Sequence, residues 1–186
     1  MWIVLIGPPG AGKGTQGRRL AKYHSLGHLS TGDKLRGKRG KELGEMVAQL
    51  IDAGKLVPDE LVIELVRHQL KEPEFQRGCV FDGFPRTLPQ AVAIENDLGA
   101  ANGVDAVVHL KVDDDVVIDR LLKRAITEGR ADDTRDGIAQ RLEIYNQRTA
   151  PVLAFFAQRQ KVVAVNGLQS ADQVFSDVVK AIGCTS

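Results

Sequence analysis

The feature that most constrains this chain is a glycine-rich stretch near its start, Gly7-Pro8-Pro9-Gly10-Ala11-Gly12-Lys13-Gly14-Thr15. It follows an apolar run, Trp2 to Ile6, and opens a helical pattern. A strand, a glycine loop and a helix in this order are the context of a phosphate-binding loop. Glycines let backbone N–H groups turn inward, and the helix N-terminus directs its free N–H groups at the same point. The stretch therefore predicts an anion site, with Lys13 reaching the β- and γ-phosphates of a nucleoside triphosphate.

The residue after Lys13 departs from the usual phosphate-loop motif. That motif has Ser or Thr directly after the lysine as a magnesium ligand, whereas this chain has Gly14 there and the hydroxyl one place later, at Thr15. A switch GTPase or a motor ATPase would keep the direct ligand, so the variant argues against both classes. The loop resembles the GxPGxGKGT loop of the nucleoside monophosphate kinases, and of adenylate kinases in particular.

Composition and charge exclude several other classes of protein. The 186 residues, 43% of them hydrophobic, suit one globular domain, and a formal charge of +1 gives no electrostatic reason to expect a nucleic-acid or membrane partner. Cys79 and Cys184 lie far apart without a CxxC motif, which argues against a disulfide framework or a four-ligand zinc site. The first apolar run is too short for a signal peptide. We expect a cytoplasmic monomer.

Short apolar runs that alternate with helical patterns predict the fold class. The runs that read as buried strands are Ile3 to Ile6, Cys79 to Phe81, Ala106 to Leu110 and Val162 to Val165, with a weaker one at His28 to Ser30. The amphipathic segments are Leu61 to Leu70, Val116 to Leu122, Ile138 to Leu153 and Val174 to Ile182. Runs without polar alternation are typical of a parallel sheet covered on both faces. We expect an α/β fold with a doubly wound, parallel, five-stranded sheet of the P-loop NTPase type.

Two segments are expected to be insertions on a core of residues 1–29, 58–124 and 136–186. Residues 30–57 have a helical pattern, which predicts a small helical flap; its apolar positions are Leu43, Val47, Leu50 and Ile51. Residues 125–135 are polar, contain Gly129 and join two helices, as lids commonly do. Because no cysteine lies between residues 125 and 135, we expect no structural zinc there.

The second chemical signal is the string Cys79-Val80-Phe81-Asp82-Gly83-Phe84-Pro85-Arg86-Thr87. An Asp at the carboxyl end of a buried strand beside the phosphate loop is where magnesium would be held, directly or through its waters. The string resembles the DGFPRT of adenylate kinases, as Ser30-Thr31-Gly32-Asp33-Lys34-Leu35-Arg36 resembles their STGDxLR and Lys55-Leu56-Val57-Pro58-Asp59 their KLVxD. Lys34 stands where that family pattern has an apolar residue.

The third signal is a set of arginines in the order found in short-lid adenylate kinases. Arg120 and Arg124 share a helix face, Arg130 lies in the polar loop and Arg141 follows on the next helix. Fully ionised ATP and AMP together carry about six negative charges, which cations must balance in a closed site. Guanidinium groups bind phosphate bidentately and stay charged. The expected cage consists of Lys13, Arg36, Arg86, Arg120, Arg124, Arg130 and Arg141, whereas Arg135, Arg148 and Arg159 are expected on solvated faces.

This resemblance, which spans five motifs from Ile3 to about Val174, implies the reaction ATP + AMP ⇌ 2 ADP with magnesium. It implies that the ATP side is held by Gly10, Ala11, Gly12, Lys13, Gly14, Thr15, Arg120, Arg124 and, near the base, Gln169. The residues implied for AMP are Thr31, Arg36, Lys55, Leu56, Val57, Gly83, Phe84, Pro85, Arg86 and Gln90. The resemblance further implies that Arg130 and Arg141 bridge the transferring group and AMP, and that Asp33 and Asp82 hold magnesium through water.

Two alternatives stay open at the level of the sequence. One is a uridylate or cytidylate kinase on the same scaffold, and the other is a non-catalytic nucleotide sensor. The pyrimidine monophosphate kinases have a string similar to SAGD where this chain has STGD, in which Thr31 is the second residue. The Gln90 amide offers a donor and an acceptor together, which match the edge of adenine. Both residues therefore favour AMP as the phosphate acceptor.

Overall fold

The structure is a computed structural model that describes residues 1–37, 42–99, 103–128, 130 and 132–183. Gly129 and Cys184, which the sequence analysis singled out, lie outside the described residues, as does the side chain of Leu43. Within the described part of the chain, no helix is long and apolar enough to cross a membrane.

The centre of the fold is a parallel sheet of five strands in the order β2-β3-β1-β4-β5. The strands are β1 (Trp2–Ile6), β2 (Gly27–Ser30), β3 (Cys79–Asp82), β4 (Ala106–Lys111) and β5 (Val162–Asn166). The expected α/β class and the weak strand near His28 are both confirmed. Because β1 lies in the middle of the sheet, the loop that follows it emerges between the ends of β3 and β4, which is where such sheets bind ligands.

Nine α-helices and two short helical turns surround the sheet in the described residues. They are α1 (Lys13–His24), α2 (Thr31–Arg36), α3 (Glu42–Asp52), α4 (Asp59–Gln69), a 3₁₀ turn (Pro73–Phe75), α5 (Leu88–Leu98), α6 (Asp114–Glu128), α7 (Arg135–Ile144), a π-helical turn (Tyr145–Thr149), α8 (Ala150–Ala157) and α9 (Ala171–Gly183). The helices α2 and α3 fall in the segment expected to form a flap.

Two elements differ from their sequence-based predictions. The single helix expected over Ile138 to Leu153 is divided by the π-helical turn, because Pro151 has no N–H to continue the regular bonding pattern. The polar segment expected over residues 125–135 is helical as far as Glu128, where α6 ends. Polar residues such as Lys, Arg and Glu are good helix formers, so polarity alone does not end a helix.

Apolar side chains cover both faces of the sheet and make its central strand rigid. In β1, Ile3, Val4, Leu5 and Ile6 are each 2% exposed or less. Their side chains alternate between two core clusters, one on each face. Full burial of each such side chain contributes about 1.5–3 kcal/mol. The phosphate loop thus begins from one of the most firmly packed parts of the molecule.

Candidate active site

A cavity of about 570 Å³ lies at the carboxyl ends of the strands. It is lined by the phosphate loop, by residues that follow β2, β3 and β5, and by parts of α6 and α7. Every site residue expected from the sequence lines it, except Phe84. Residues as far apart in the chain as Gly10 and Gln169 therefore meet around one opening, because parallel strands all end at the same edge of the sheet.

The side chain of Phe84, one of the residues expected to bind AMP, is buried in the core and does not line the cavity. It is 1% exposed and its ring centroid lies 6.0 Å from that of Phe81. Gly83 adopts a φ of 76°, so the chain turns sharply after β3 and directs the aromatic ring inward. Burial of a large aromatic surface is more favourable than its exposure in a polar cleft.

Lys13 begins α1 and lies across the phosphate loop. Its Nζ donates to the carbonyl oxygens of Gly7 (2.7 Å) and Pro8 (2.8 Å). Burial lowers the pKa of Lys13 to about 8; nearby arginines, Arg86 among them, act in the same direction, and Asp82 opposes them. In the free site the protonated form of Lys13 is therefore less favourable than it is for a lysine in water, and an anion bound in the loop would stabilise it.

Asp82 ends β3 and faces the start of α1. A Cβ at Gly14 would lie 3.3 Å from Asp82 Oδ2, so a Ser or Thr in that position would crowd the carboxylate. This contact favours glycine in the position after Lys13. Burial acts to raise the pKa of Asp82, but the neighbouring His28 ring, 3.7 Å away, and Lys13 outweigh it and hold the pKa below its usual value.

The donors near the phosphate loop fit magnesium bound together with a nucleotide. Magnesium usually takes one or two carboxylates and completes its coordination with phosphate oxygens and water. Asp82 is an ionised carboxylate on the wall of the cavity. Asp33, the second expected contributor, accepts from Arg36 Nη2 at 2.6 Å, and its side chain is 55% exposed. The described residues hold no group of three or more His, Cys, Asp or Glu that could bind a metal without a nucleotide.

Two buried carboxylates, whose roles the sequence analysis missed, hold two of the expected arginines. Arg124 binds Asp133 bidentately, at 2.7 and 2.8 Å. Arg141 donates to Asp132 at 2.9 Å and also to Asp133. The Asp133 side chain is fully buried, and although burial raises its pKa, the two arginines outweigh that effect and lower it. The Asp-Asp pair was visible in the sequence, but its contacts depend on how α6 and α7 pack.

The other arginines also have partners within the protein. Arg120 donates to the carbonyl oxygen of Gly167 at 3.0 Å. Arg130 pairs with Glu128 at 2.7 Å. Arg86 donates from Nε to the carbonyl oxygen of Gly83 at 2.8 Å, and burial lowers its pKa. These cations already line one cavity, where an entering phosphate could replace their carboxylate and carbonyl partners.

The residues expected to distinguish the acceptor base are both buried. Thr31 is 2% exposed and donates to the Gly83 carbonyl oxygen at 2.9 Å; the helix cap is Ser30, not Thr31. Gln90 is 2% exposed, accepts from the Arg86 N–H at 2.8 Å and donates to Asp59 at 2.7 Å. Gln90 is therefore part of a polar network at the cavity wall and is not a solvated helix residue.

Further positions define the walls of the cavity, and sequence reasoning assigned them no role. The apolar ones are Leu35, Ile51, Val62, Ile144 and Tyr145, and Arg18 adds another cation beside the phosphate loop. From their helical spacing, the sequence predicts several of these residues only as apolar positions of helices and gives no sign that they line a site. Lys34, where the family pattern has an apolar residue, is exposed, so no buried charge results.

Comparisons with known proteins agree with this geometry. A family model described as adenylate kinase matches residues 5–161. The chain is 50% identical over 185 residues to an adenylate kinase of Maricaulis maris, with 98% of each chain covered. It is 40% identical to an adenylate kinase of Stenotrophomonas maltophilia strain K279a, over 98% of this chain and 99% of that one, and 39% identical to one of Bacteroides thetaiotaomicron, over 97% of each. The chain therefore belongs to the adenylate kinase family.

Proposed function

We propose that this protein catalyses reversible, magnesium-dependent phosphoryl transfer from ATP to AMP, giving two ADP. The observation that carries the proposal is that the phosphate loop, the expected arginines and the Gln90 amide line a single cavity. An oxygen of the AMP phosphate attacks the γ-phosphorus, and the bond from the γ-phosphorus to the oxygen that bridges it to the β-phosphate breaks as ADP leaves. No side chain has to act as a nucleophile, because positioning and charge stabilisation carry this reaction.

On the donor side, the backbone N–H groups of Gly10 to Thr15 surround the ATP phosphates, with Lys13 at their centre. Arg120 and Arg124 neutralise charge from α6, and Gln169 lies toward the ATP base. Arg130 and Arg141 bridge the transferring group and AMP. In support, Lys13 and the four arginines all line the cavity.

On the acceptor side, the AMP phosphate is bound by Arg36 and Arg86. Thr31 and Gln90 contact the adenine, together with the segment Lys55 to Val57 and the turn Gly83 to Pro85. The burial of Thr31 and Gln90 supports this assignment, since a buried polar group left unpaired by the wrong base costs free energy.

Magnesium that arrives with ATP would be held through water by Asp82 and Asp33. When bound, it neutralises phosphate charge and orients the phosphates for in-line transfer. What this chain contributes is an ionised Asp82 beside a glycine that leaves room next to it.

Water must be excluded during transfer, since otherwise ATP would be hydrolysed. We propose that the flap, residues 30–57, and the lid, residues 125–135, close over the bound nucleotides. Lid closure in adenylate kinases is a known example of such gating. The lid segment contains neither Cys nor His, so its arginines are ordered by phosphate and not by a structural zinc.

We also expect the enzyme to act as a monomer in the cytoplasm. Residues of a single chain line the cavity and include all the groups that the reaction requires, so no second copy has to complete the site.

A coupled assay for ADP formation tests the proposal. With ATP and magnesium, AMP should be a far better acceptor than UMP or CMP, by more than about tenfold in kcat/KM. Comparable rates with UMP would instead favour a pyrimidine monophosphate kinase. A lack of transfer to every monophosphate, with ATP binding intact, would indicate a nucleotide sensor.

A further inference from the structure

A contact between α4 and the start of α5 is not used by the mechanism above. Asp59, the first residue of α4, accepts two hydrogen bonds at one oxygen, Oδ1: from Gln90 Nε2 (2.7 Å) and from Thr87 Oγ1 (2.9 Å). The opposite end of the same amide, Gln90 Oε1, accepts from the backbone N–H of Arg86 at 2.8 Å. Gln90 is therefore bound at both ends within the protein.

These two partners allow the amide only one orientation. If the amide were reversed, its NH₂ group would face the Arg86 N–H, donor against donor, and its oxygen would face the Asp59 carboxylate, acceptor against acceptor. Gln90 is 2% exposed, so water is not free to replace the lost bonds. The orientation thus follows from the chemistry of its two neighbours.

After these bonds are made, the amide keeps one N–H and one oxygen lone pair, and Gln90 lines the cavity. The Watson–Crick edge of adenine offers the N6 donor beside the N1 acceptor. The same edge of a 6-oxopurine offers the reverse, the O6 acceptor beside the N1–H donor. An amide held in one orientation satisfies adenine with both of its remaining groups, whereas a 6-oxopurine would require the amide to reverse.

We infer that Asp59 is a specificity-determining residue: by holding the Gln90 amide in one orientation, it makes the acceptor site select 6-aminopurine over 6-oxopurine monophosphates. The inference rests on the proposed function, in which Gln90 contacts the acceptor base. Asp59 acts through Gln90 and is a positioning residue.

The test compares AMP with inosine monophosphate as acceptors in Asp59 variants. In Asp59→Ala and Asp59→Ser, no acceptor reaches the amide, so the kcat/KM preference for AMP over inosine monophosphate should fall by at least about tenfold. Asp59→Asn keeps a carbonyl oxygen that can accept from Nε2 and should retain most of the preference. Calorimetric titration with each monophosphate, in the absence of ATP, should give the same change in the ratio of Kd values.

Thr87→Val is the matched control. It removes the Thr87 bond to Asp59 and the cap of α5, but leaves Asp59 free to hold Gln90. It should lower Tm and leave the preference between the two monophosphates unchanged. An equal loss of preference in this control would overturn the inference, because the effect would then be structural.

The outcomes separate this inference from the proposed function. A wild-type enzyme that does not prefer AMP to UMP and CMP contradicts the proposed function itself. A wild-type enzyme with that preference but with equal kcat/KM for AMP and inosine monophosphate overturns only the inference about Asp59. A strong wild-type preference that survives in Asp59→Ser, with folding verified by circular dichroism, overturns only the role of Asp59. The Ser variant also decides the matter if Asp59→Ala does not fold, because Ser is well tolerated at a helix start.

Discussion

Arg86 lies partly buried at the turn after β3, where its Nε donates to the Gly83 carbonyl oxygen. In the proposed reaction it binds the AMP phosphate, and charge-assisted bonds in a closed site are strong. Arg86→Ala should therefore lower kcat/KM for AMP by about 10²–10³-fold. Arg86→Lys should restore little, because an ammonium cannot bind phosphate bidentately. Near wild-type turnover in a folded Ala variant, checked by circular dichroism, would contradict this role.

A second prediction for a single residue follows from the pKa of Lys13. Its pKa of about 8 in the free protein means that at pH 8 about half of the molecules lack this proton. Bound phosphates favour the charged form, so binding of magnesium-ATP at pH 8 should take up about half a proton at Lys13. At pH 6.5 the lysine is protonated in both states and the uptake should vanish. Calorimetry in buffers of different ionisation enthalpy measures it.

The control for that measurement is Lys13→Arg, which stays charged throughout and should show no uptake at pH 8. Equal proton uptake in the wild type and this variant would assign the proton to another group.

The residues that sequence reasoning found at the site share one property: their chemistry follows from residue type and local sequence pattern alone. Glycines in a loop before a helix, and a lysine beside them, predict a phosphate site in any fold that follows the pattern. Asp59, although it ends the KLVxD string, and Asp133, although it belongs to a visible Asp-Asp pair, have no local pattern that predicts their contacts. Asp59 begins a helix and Asp133 lies in a polar loop, and only the packing of α4 on α5 and of α6 on α7 gives them their partners. The buried side chain of Phe84 shows that a residue of a site motif can also serve the core.

At the scale of elements, the connection between α6 and α7 depends on Asp133. Its fully buried side chain binds Arg124 and Arg141, whose side chains are 23% and 13% exposed. Asp133→Ala leaves two largely buried cations without this partner. It should lower the free energy of unfolding by about 3 kcal/mol. Denaturant unfolding, followed by circular dichroism, checks this value.

Glu128→Gln is the matched control for that loss. Glu128 pairs with Arg130, but its side chain is 50% exposed, so water screens the pair. The change should cost less than about 1 kcal/mol. If both variants lost the same stability, the buried network would not be what holds the two helices together.

The element boundaries that sequence failed to predict lie where two local preferences compete. The segment from Ile138 to Leu153 has a continuous helical pattern, and only the missing N–H of Pro151 requires the π-helical turn. Residues 125–128 belong to the segment expected to be a lid, but they include Ala125 and Glu128, which are good helix formers, and the helix continues through them. The strands, in contrast, were recognised almost to the residue, because uninterrupted apolar runs bounded by turn residues have few other uses.

For the whole molecule, the depressed carboxyl pKa values predict how stability depends on acid. Asp82 and Asp133 have pKa values below the ordinary 3.8 in the folded state. The unfolded chain therefore binds their protons first, so their stabilisation is complete above about pH 4 and is lost as the pH falls through the folded values. Titration of these two groups should leave Tm nearly unchanged from pH 7 to pH 5 and should make it fall steeply below pH 4.

The same scan on Asp133→Asn separates this cause from general acid denaturation. The variant should be less stable at pH 7, and the difference from the wild type should narrow below pH 4, where the Asp133 carboxyl of the unfolded wild-type chain takes up its proton. A difference that stayed constant down to pH 3 would show that the charge of Asp133 does not contribute.

The route of the chain through the sheet has a consequence for synthesis on the ribosome. The phosphate loop emerges first, but Gln16 in α1 donates to the Ala171 carbonyl oxygen at 2.9 Å, and Arg120 to that of Gly167. A nascent chain that ends before β5 has the loop but lacks the strand and helix that support its far side. These supporting contacts form only after β5 and the start of α9 have been made, so we expect tight nucleotide binding to arise late in synthesis.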